Sequence, residues 1–408
     1  MSSPARPLWR GRTLALVGIV LLAFSLRSGV ASLSPILDHI AADFPLPEWV
    51  VGLLGMAPPV CFAVFGILTP RFERRFGLER LVVIALTVAT LAMVGRSFAV
   101  GALTLLLGTV VMFAAVGVGN VLLPPLVKKY FPDRIGLMTA VFSTTMAVAT
   151  LLPPLVAVPV ADAAGWRVSL GMWVVFSAVA LVPWIGLLVR RQRGEADDLD
   201  ESPPGIFARL WRLPVAWGLT VSFAVSAVVA YTSFAWLPAL LVDLTGVDPA
   251  AAGVLLSLFA AMGLPASLLV PMLVSRFHAV RVLVVVSVAS GLLAIAGLLL
   301  APTAAPWLWV VLLGACPLLF PLVLVLLGLR TRTHEASVAL SGFVQSVGYA
   351  IAAVFPLAFG VLYDLTDEWV VPLWLLAFVI AAAIPAGFVA ARPRTVEEEW
   401  ERRHGPWS

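Results

Sequence analysis

Long apolar runs broken by short, arginine-bearing polar segments set the pattern of this chain. Twelve such runs fall near 13–35, 49–69, 81–95, 99–126, 135–159, 168–189, 214–241, 251–273, 282–301, 306–329, 336–361 and 370–390. Each approaches or exceeds the ~20 residues that carry an α-helix across a hydrocarbon core. In lipid the backbone must satisfy its own hydrogen bonds, so runs of this kind predict helices. The expected fold is an all-α polytopic membrane protein with twelve transmembrane helices in two pseudo-symmetric six-helix bundles. The expected division is an N-terminal bundle over 1–189, a linker over 190–213, a C-terminal bundle over 214–391 and a tail over 392–408.

An internal repeat supports two bundles. Gly52, Pro70, Arg75, Phe76 and Arg80 recur without a gap as Gly253, Pro271, Arg276, Phe277 and Arg281, and Asp162 and Trp166 find counterparts in Asp364 and Trp369. Repeats of this sort underlie alternating access in transporters. Composition agrees: 61% hydrophobic residues against 12% charged, with a mean hydropathy of +1.05, call for lipid as solvent. The 31 glycines and 31 prolines are tolerated in membrane helices, where neighbouring helices re-satisfy the freed backbone groups. Cys61 and Cys316 sit in apolar runs far apart, which suggests neither a disulfide framework nor a metal site.

Charge orients the chain. With a cytoplasmic N-terminus, every one of the 26 basic residues except Arg27, Arg96 and Arg167 falls in an inside loop or tail. Both termini are then cytoplasmic in a bacterial-type inner membrane. Arg6, Arg10 and Arg12 precede the first run as in a secretory signal, but that run is too long and contains an arginine, so it reads as a retained span. The net charge of +4 is explained by orientation, and nucleic acid is not an expected partner. Glu195, Asp197, Asp198, Asp200 and Glu201 mark the linker as a solvated, partly helical segment.

The stretch Gly66-Ile67-Leu68-Thr69-Pro70-Arg71-Phe72-Glu73-Arg74-Arg75 resembles the loop motif of the major facilitator superfamily, with Pro70 where that motif carries an acid and Glu73 where it carries its second glycine. The run Gly119-Asn120-Val121-Leu122-Leu123-Pro124-Pro125-Leu126-Val127-Lys128-Lys129-Tyr130-Phe131-Pro132-Asp133-Arg134, with Gly136, Met138, Thr139 and Phe142-Ser143-Thr144 after it, resembles the cyanate and nitroimidazole transporter branch. That branch also has an arginine in a Leu-Arg-Pro setting on the first span, matched here by Leu26-Arg27-Ser28. The resemblance implies a major facilitator fold and transport of a small solute. It fixes fold better than substrate.

Sorting ionisable residues by run and loop leaves Arg27 as the one charge expected at membrane depth. Burying it is costly unless it is paired or faces a watery cavity, and no acid in the runs is available to pair with it. One reading is a substrate site, where the forked guanidinium holds an anionic or strongly polar solute. The other is snorkelling: Arg27 lies about 14 residues beyond Thr13, roughly 21 Å along a helix, within reach of the outer interface. Asn120, Tyr231, Gln345 and Tyr349 are further candidate lining groups, Gln345 and Tyr349 sharing one helix face; each has a packing reading as well, and Trp236 fits the interfacial aromatic belt. Arg71, Arg74, Arg75, Lys128, Lys129 and Arg134 are expected to fix topology, with gating as an alternative. The proline pairs 58–59, 124–125 and 153–154 read as kinks.

No nucleotide-binding loop, zinc spacing or nucleophile–base pair is visible, so no cofactor is expected and an enzyme is disfavoured. The reading is a monomeric secondary or facilitative transporter of a small anion or a compact polar heteroaromatic, with the bilayer and one small molecule as partners. A multidrug/proton antiporter predicts an acid in the cavity, and none is evident. A non-translocating membrane sensor is the alternative of another class.

Overall fold

The computed structural model describes residues 12–194 and 206–407. Twelve helices are long and apolar enough to span a bilayer: α1 Thr13–Ile36, α2 Leu53–Phe76, α3 Leu78–Ser97, α4 Ala102–Tyr130, α5 Ile135–Ala164, α6 Trp166–Val189, α7 Pro214–Thr245, α8 Ala251–Phe277, α9 Val280–Leu300, α10 Pro306–Leu329, α11 His334–Thr366 and α12 Val370–Ala390. Their outer surface is apolar, with Leu91, Leu107, Leu155, Val182, Leu300 and Phe378 exposed, as expected of side chains that face acyl chains. The proline pairs lie within continuous helices; the breaks fall elsewhere, at Ser32–Leu33 in α1, at Met172–Trp173 in α6, at Met262 in α8 and at the 3-10 turn Cys316–Leu318 in α10.

Helix α10 is the most enclosed span, whereas α8, the least buried, packs on α5 across the halves and lines the central cavity with Phe259, Gly263 and Ser267. The two halves meet chiefly along α2 against α11 and α5 against α8, with α4 touching α11 and α10. Glycine makes the first crossing possible: a Cβ on Gly342 would lie 2.9 Å from the Gly66 carbonyl oxygen, and a Cβ on Gly66 would collide with Ser346 Oγ. No larger residue fits this approach.

The face bearing the basic loops is closed. Among the described residues, every hydrogen bond between the halves lies at the cavity floor or on this side of it: Ser143 Oγ to the Ser267 carbonyl (3.0 Å), Ser341 Oγ to the Val121 carbonyl (2.9 Å), Gln345 Nε2 to the Asn120 carbonyl (3.2 Å), and the contacts of Lys128 with Gly328 and Thr331. On the opposite face the hydrogen bonds among the described residues tie each half to itself. Trp166 donates its indole N–H to Asp43 (2.9 Å), and Trp369 does the same to Asp243 (2.9 Å). One bond joins the α1–α2 connection to the start of α6; the other joins α7 to the connection before α12.

The acidic run 195–201 lies outside the described residues, as do Arg6 and Arg10. The end of the expected linker forms a short helix, Ile206–Leu210. The tail is not simply a solvated end: α13, Val396–His404, opens with a capping box made by Thr395 and Glu398 and docks on the C-terminal half. Glu399 accepts from the Val215 backbone N–H (3.0 Å) and Glu397 from that of Arg332 (2.7 Å). Arg209 stacks on Trp400 and Trp407, clasping linker to tail.

Candidate functional site

A cavity of about 240 Å³ opens between the halves, and its walls come from both. Arg27 on α1 lines it with Tyr231 on α7, Phe320 on α10 and Tyr349 on α11. The Arg27 guanidinium carbon stands 5.7 Å from the centre of the Phe320 ring, and the group lies beside the hydroxyls of Tyr349 and Tyr231. The two tyrosine rings are 6.3 Å apart, and Tyr349 is held edge-on by Phe62 at 5.2 Å and Phe223 at 4.9 Å. This aromatic packing limits the freedom of the hydroxyl that faces Arg27. The remaining polar groups of the wall are the hydroxyls of Ser143, Thr150, Ser226 and Ser267; the rest is apolar, including Met146, Phe234 and Phe259.

Arg27 is the one charged side chain of this wall among the described residues, and no carboxylate pairs with it there. A guanidinium in an apolar chamber, flanked by hydroxyls, offers charge-assisted hydrogen bonds to an oxyanion or to an electron-rich heteroaromatic. Phe320, Phe234 and Phe259 offer flat apolar surface for the rest of a small planar solute.

Three of the five expected lining residues, Arg27, Tyr231 and Tyr349, come together in the cavity, and two do not. Asn120 and Gln345 lie in the seam between α4 and α11, 5% and 2% exposed, where Gln345 bonds Ser341 Oγ (2.8 Å) and the Asn120 carbonyl. The Asn120 amide is buried with neither of its atoms bonded. Trp236 bonds the Pro356 carbonyl (2.8 Å) and also stands outside the cavity wall.

The basic residues divide by partner. Lys128 crosses between the halves: its ammonium caps the carbonyl end of α10, on Gly328 O (3.1 Å), Thr331 Oγ1 (2.8 Å) and Thr331 O. Lys129 stays in its own half, paired with the buried Glu79 at 2.9 Å. Arg134 lies 3.7 Å from Asp133, which is bound more closely by Arg12 at 2.6 Å. Arg71, Arg74 and Arg75 are exposed, Arg75 over the Phe76 ring.

One charge was missed. Arg96, read from sequence as an outer-loop residue, sits in the last turn of α3 and is 0% exposed. Its Nη2 donates to the Gly29 carbonyl (2.8 Å) and to Ser32 Oγ (3.1 Å), while Nε and Nη1 find no partner. Arg27 is therefore not the only arginine inside the protein. The flanking Gly95 and Ser97 make the end of the apolar run look like a turn, and nothing local signals that the helix continues through them.

The sequence matches the Major Facilitator Superfamily over residues 19–352. It is 31% identical over 389 residues to the 2-nitroimidazole transporter of Escherichia coli strain K12, covering 95% of this chain and 98% of that one. It is 24% identical over 365 residues to the cyanate transport protein CynX of the same organism, covering 87% and 91%. Among solved structures, the transporter FucP in its outward conformation superposes with a TM-score of 0.71 at 14% identity, covering 93% of this chain and 98% of that one. With twelve spans in two halves, a shared cavity and a match over most of its length, this chain belongs to the major facilitator superfamily of membrane transporters.

Proposed function

We propose that this transporter carries a small monoanion, or a compact polar heteroaromatic of cyanate- or nitroimidazole-like size, and that Arg27 binds it. The observation that carries the reading is the lone guanidinium in the cavity wall, beside Tyr231 and Tyr349 and with no carboxylate paired to it. A bound anion supplies the missing countercharge. The relatives that transport cyanate and 2-nitroimidazole support the size and polarity of the solute.

Transport follows from which face is closed. The seams α2/α11 and α5/α8, with Lys128 across the end of α10, seal the basic face, so the cavity communicates with the opposite side. Rocking the halves about the bound solute breaks these contacts and closes the far side, which is secondary or facilitative transport by alternating access. The excess of basic residues in the loops of the sealed face supports a cytoplasmic position for it and for both termini. That one chain supplies both walls supports a monomeric functional unit. Without a carboxylate in the wall, a proton-relay antiport of drugs is the weaker reading.

The test is uptake of labelled cyanate and 2-nitroimidazole into proteoliposomes holding wild type, Arg27→Lys or Arg27→Ala. The expected result is saturable uptake by wild type, reduced in Arg27→Lys and abolished in Arg27→Ala while both variants keep their melting temperatures. Undiminished uptake by a folded Arg27→Ala protein would overturn the assignment.

A further inference from the structure

At the basic face the two halves treat one position differently. In the N-terminal half, Glu79 in the first turn of α3 is buried and holds the end of α4, accepting from Tyr130 (2.7 Å) and pairing with Lys129 (2.9 Å). The register that carries Arg75, Phe76 and Arg80 onto Arg276, Phe277 and Arg281 puts Val280 where Glu79 stands. Helix α9, the counterpart of α3, therefore begins with no acid in its first turn and no side-chain cap.

The cation remains although the acid is gone. Arg330 follows the end of α10, the counterpart of α4, and spends Nε and Nη2 on the carbonyls of Ala390 (3.2 Å) and Ala391 (3.4 Å). Around the vacated position lies a cavity of about 330 Å³, lined by His278, Arg281 and Arg330 together with the apolar Val280, Leu326 and Leu329, with no carboxylate in its lining. Burial holds the Arg330 guanidinium below its ordinary value, and among the described residues its partners are carbonyls and not a carboxylate. Two arginines, a histidine and an uncapped helix N-terminus converge where the spans end, at the depth of lipid headgroups.

We propose that this cavity binds the phosphate of an anionic phospholipid, which takes the place that the Glu79 carboxylate fills in the other half. The cations and the α9 backbone N–H groups receive the phosphate, and the apolar wall receives the start of an acyl chain. Free phosphate offers the same oxyanion without the chain.

The experiment uses the full-length protein purified in detergent and freed of lipid, with native mass spectrometry and thermal melting as readouts. Phosphatidylglycerol, phosphatidylcholine and inorganic phosphate are added separately. Phosphatidylglycerol is expected to be retained and to raise the melting temperature, with the other two giving neither effect. Arg281→Gln is expected to weaken retention about tenfold, the scale of one lost charge-assisted bond. Val280→Glu, which rebuilds the arrangement of the N-terminal half, is expected to abolish retention in a protein that no longer gains stability from lipid. Arg281 is exposed, so its replacement tests binding without disturbing the core. Phosphatidylglycerol bound as tightly by both variants as by wild type would overturn the proposal, and so would inorganic phosphate that stabilises wild type equally well.

Discussion

At the scale of single residues, two arginines divide the work of the first span. Arg27 faces the cavity, and two residues on, the Gly29 carbonyl is held by the wholly buried Arg96. A cation at the carbonyl end of a helix is favourable, yet Arg96 leaves two nitrogens unbonded, a cost that offsets the gain. Replacing it with methionine is expected to leave the melting temperature nearly unchanged while raising the KM for uptake severalfold, because the end of α1 loses its anchor. A loss of folding with unchanged KM in the surviving protein would contradict this. The face opposite the basic loops gives a pH prediction. Trp166 and Arg167 hydrogen-bond Asp43 and hold its carboxyl below the usual carboxylate range. The sign follows from linkage: this contribution is fully present above the unfolded value of about 3.9 and is lost as pH falls through the lower folded value. Melting curves of wild type and Asp43→Asn are expected to differ by a constant gap from pH 7 down to about 4.5 and to converge below it. Arg27 was legible in the sequence because it stands in the middle of an apolar run, whereas Arg96 was hidden by standing at the end of one.

Among elements, the crossing of α2 and α11 decides which face is closed. Gly66 and Gly342 bring the two backbones together there, and neither has room for a Cβ. Gly342→Val should pry this seam apart at a cost of about 1–3 kcal/mol, the range for overpacking a filled site. Since two conformations of a transporter differ by a few kcal/mol, that cost redistributes them. The checkable outcome is faster labelling of a cysteine placed at buried Ser346 on the seam, with slower transport; unchanged labelling would show that the glycines do not set the closed state. The twelve spans themselves were legible, because lipid forces long apolar helices into the sequence. The breaks at Met262 and at Cys316–Leu318 were not, since glycine and proline occur throughout the spans without breaking them. Nor was the seam between α4 and α11: Asn120 and Gln345 are polar groups in apolar runs whether they face a solute or each other.

For the whole molecule, the bearing question is net charge during a transport cycle. The cavity wall carries one positive charge, that of Arg27, with no carboxylate against it among the described residues, and the monoanion proposed above would neutralise it. Moving that anion inward is then worth about 2.3 kcal/mol per 100 mV of membrane potential. An inside-positive potential imposed on proteoliposomes is expected to accelerate cyanate uptake and an inside-negative one to slow it; uptake indifferent to potential would mean that a further ion travels with the substrate. The repeat that made this two-part design visible in the sequence reaches further in three dimensions. Trp166 bonds Asp43 and Trp369 bonds Asp243 in the same way, although of these four residues the linear repeat pairs only the tryptophans. Each tie closes one half upon itself, so the halves can part or meet at that end without breaking either bond.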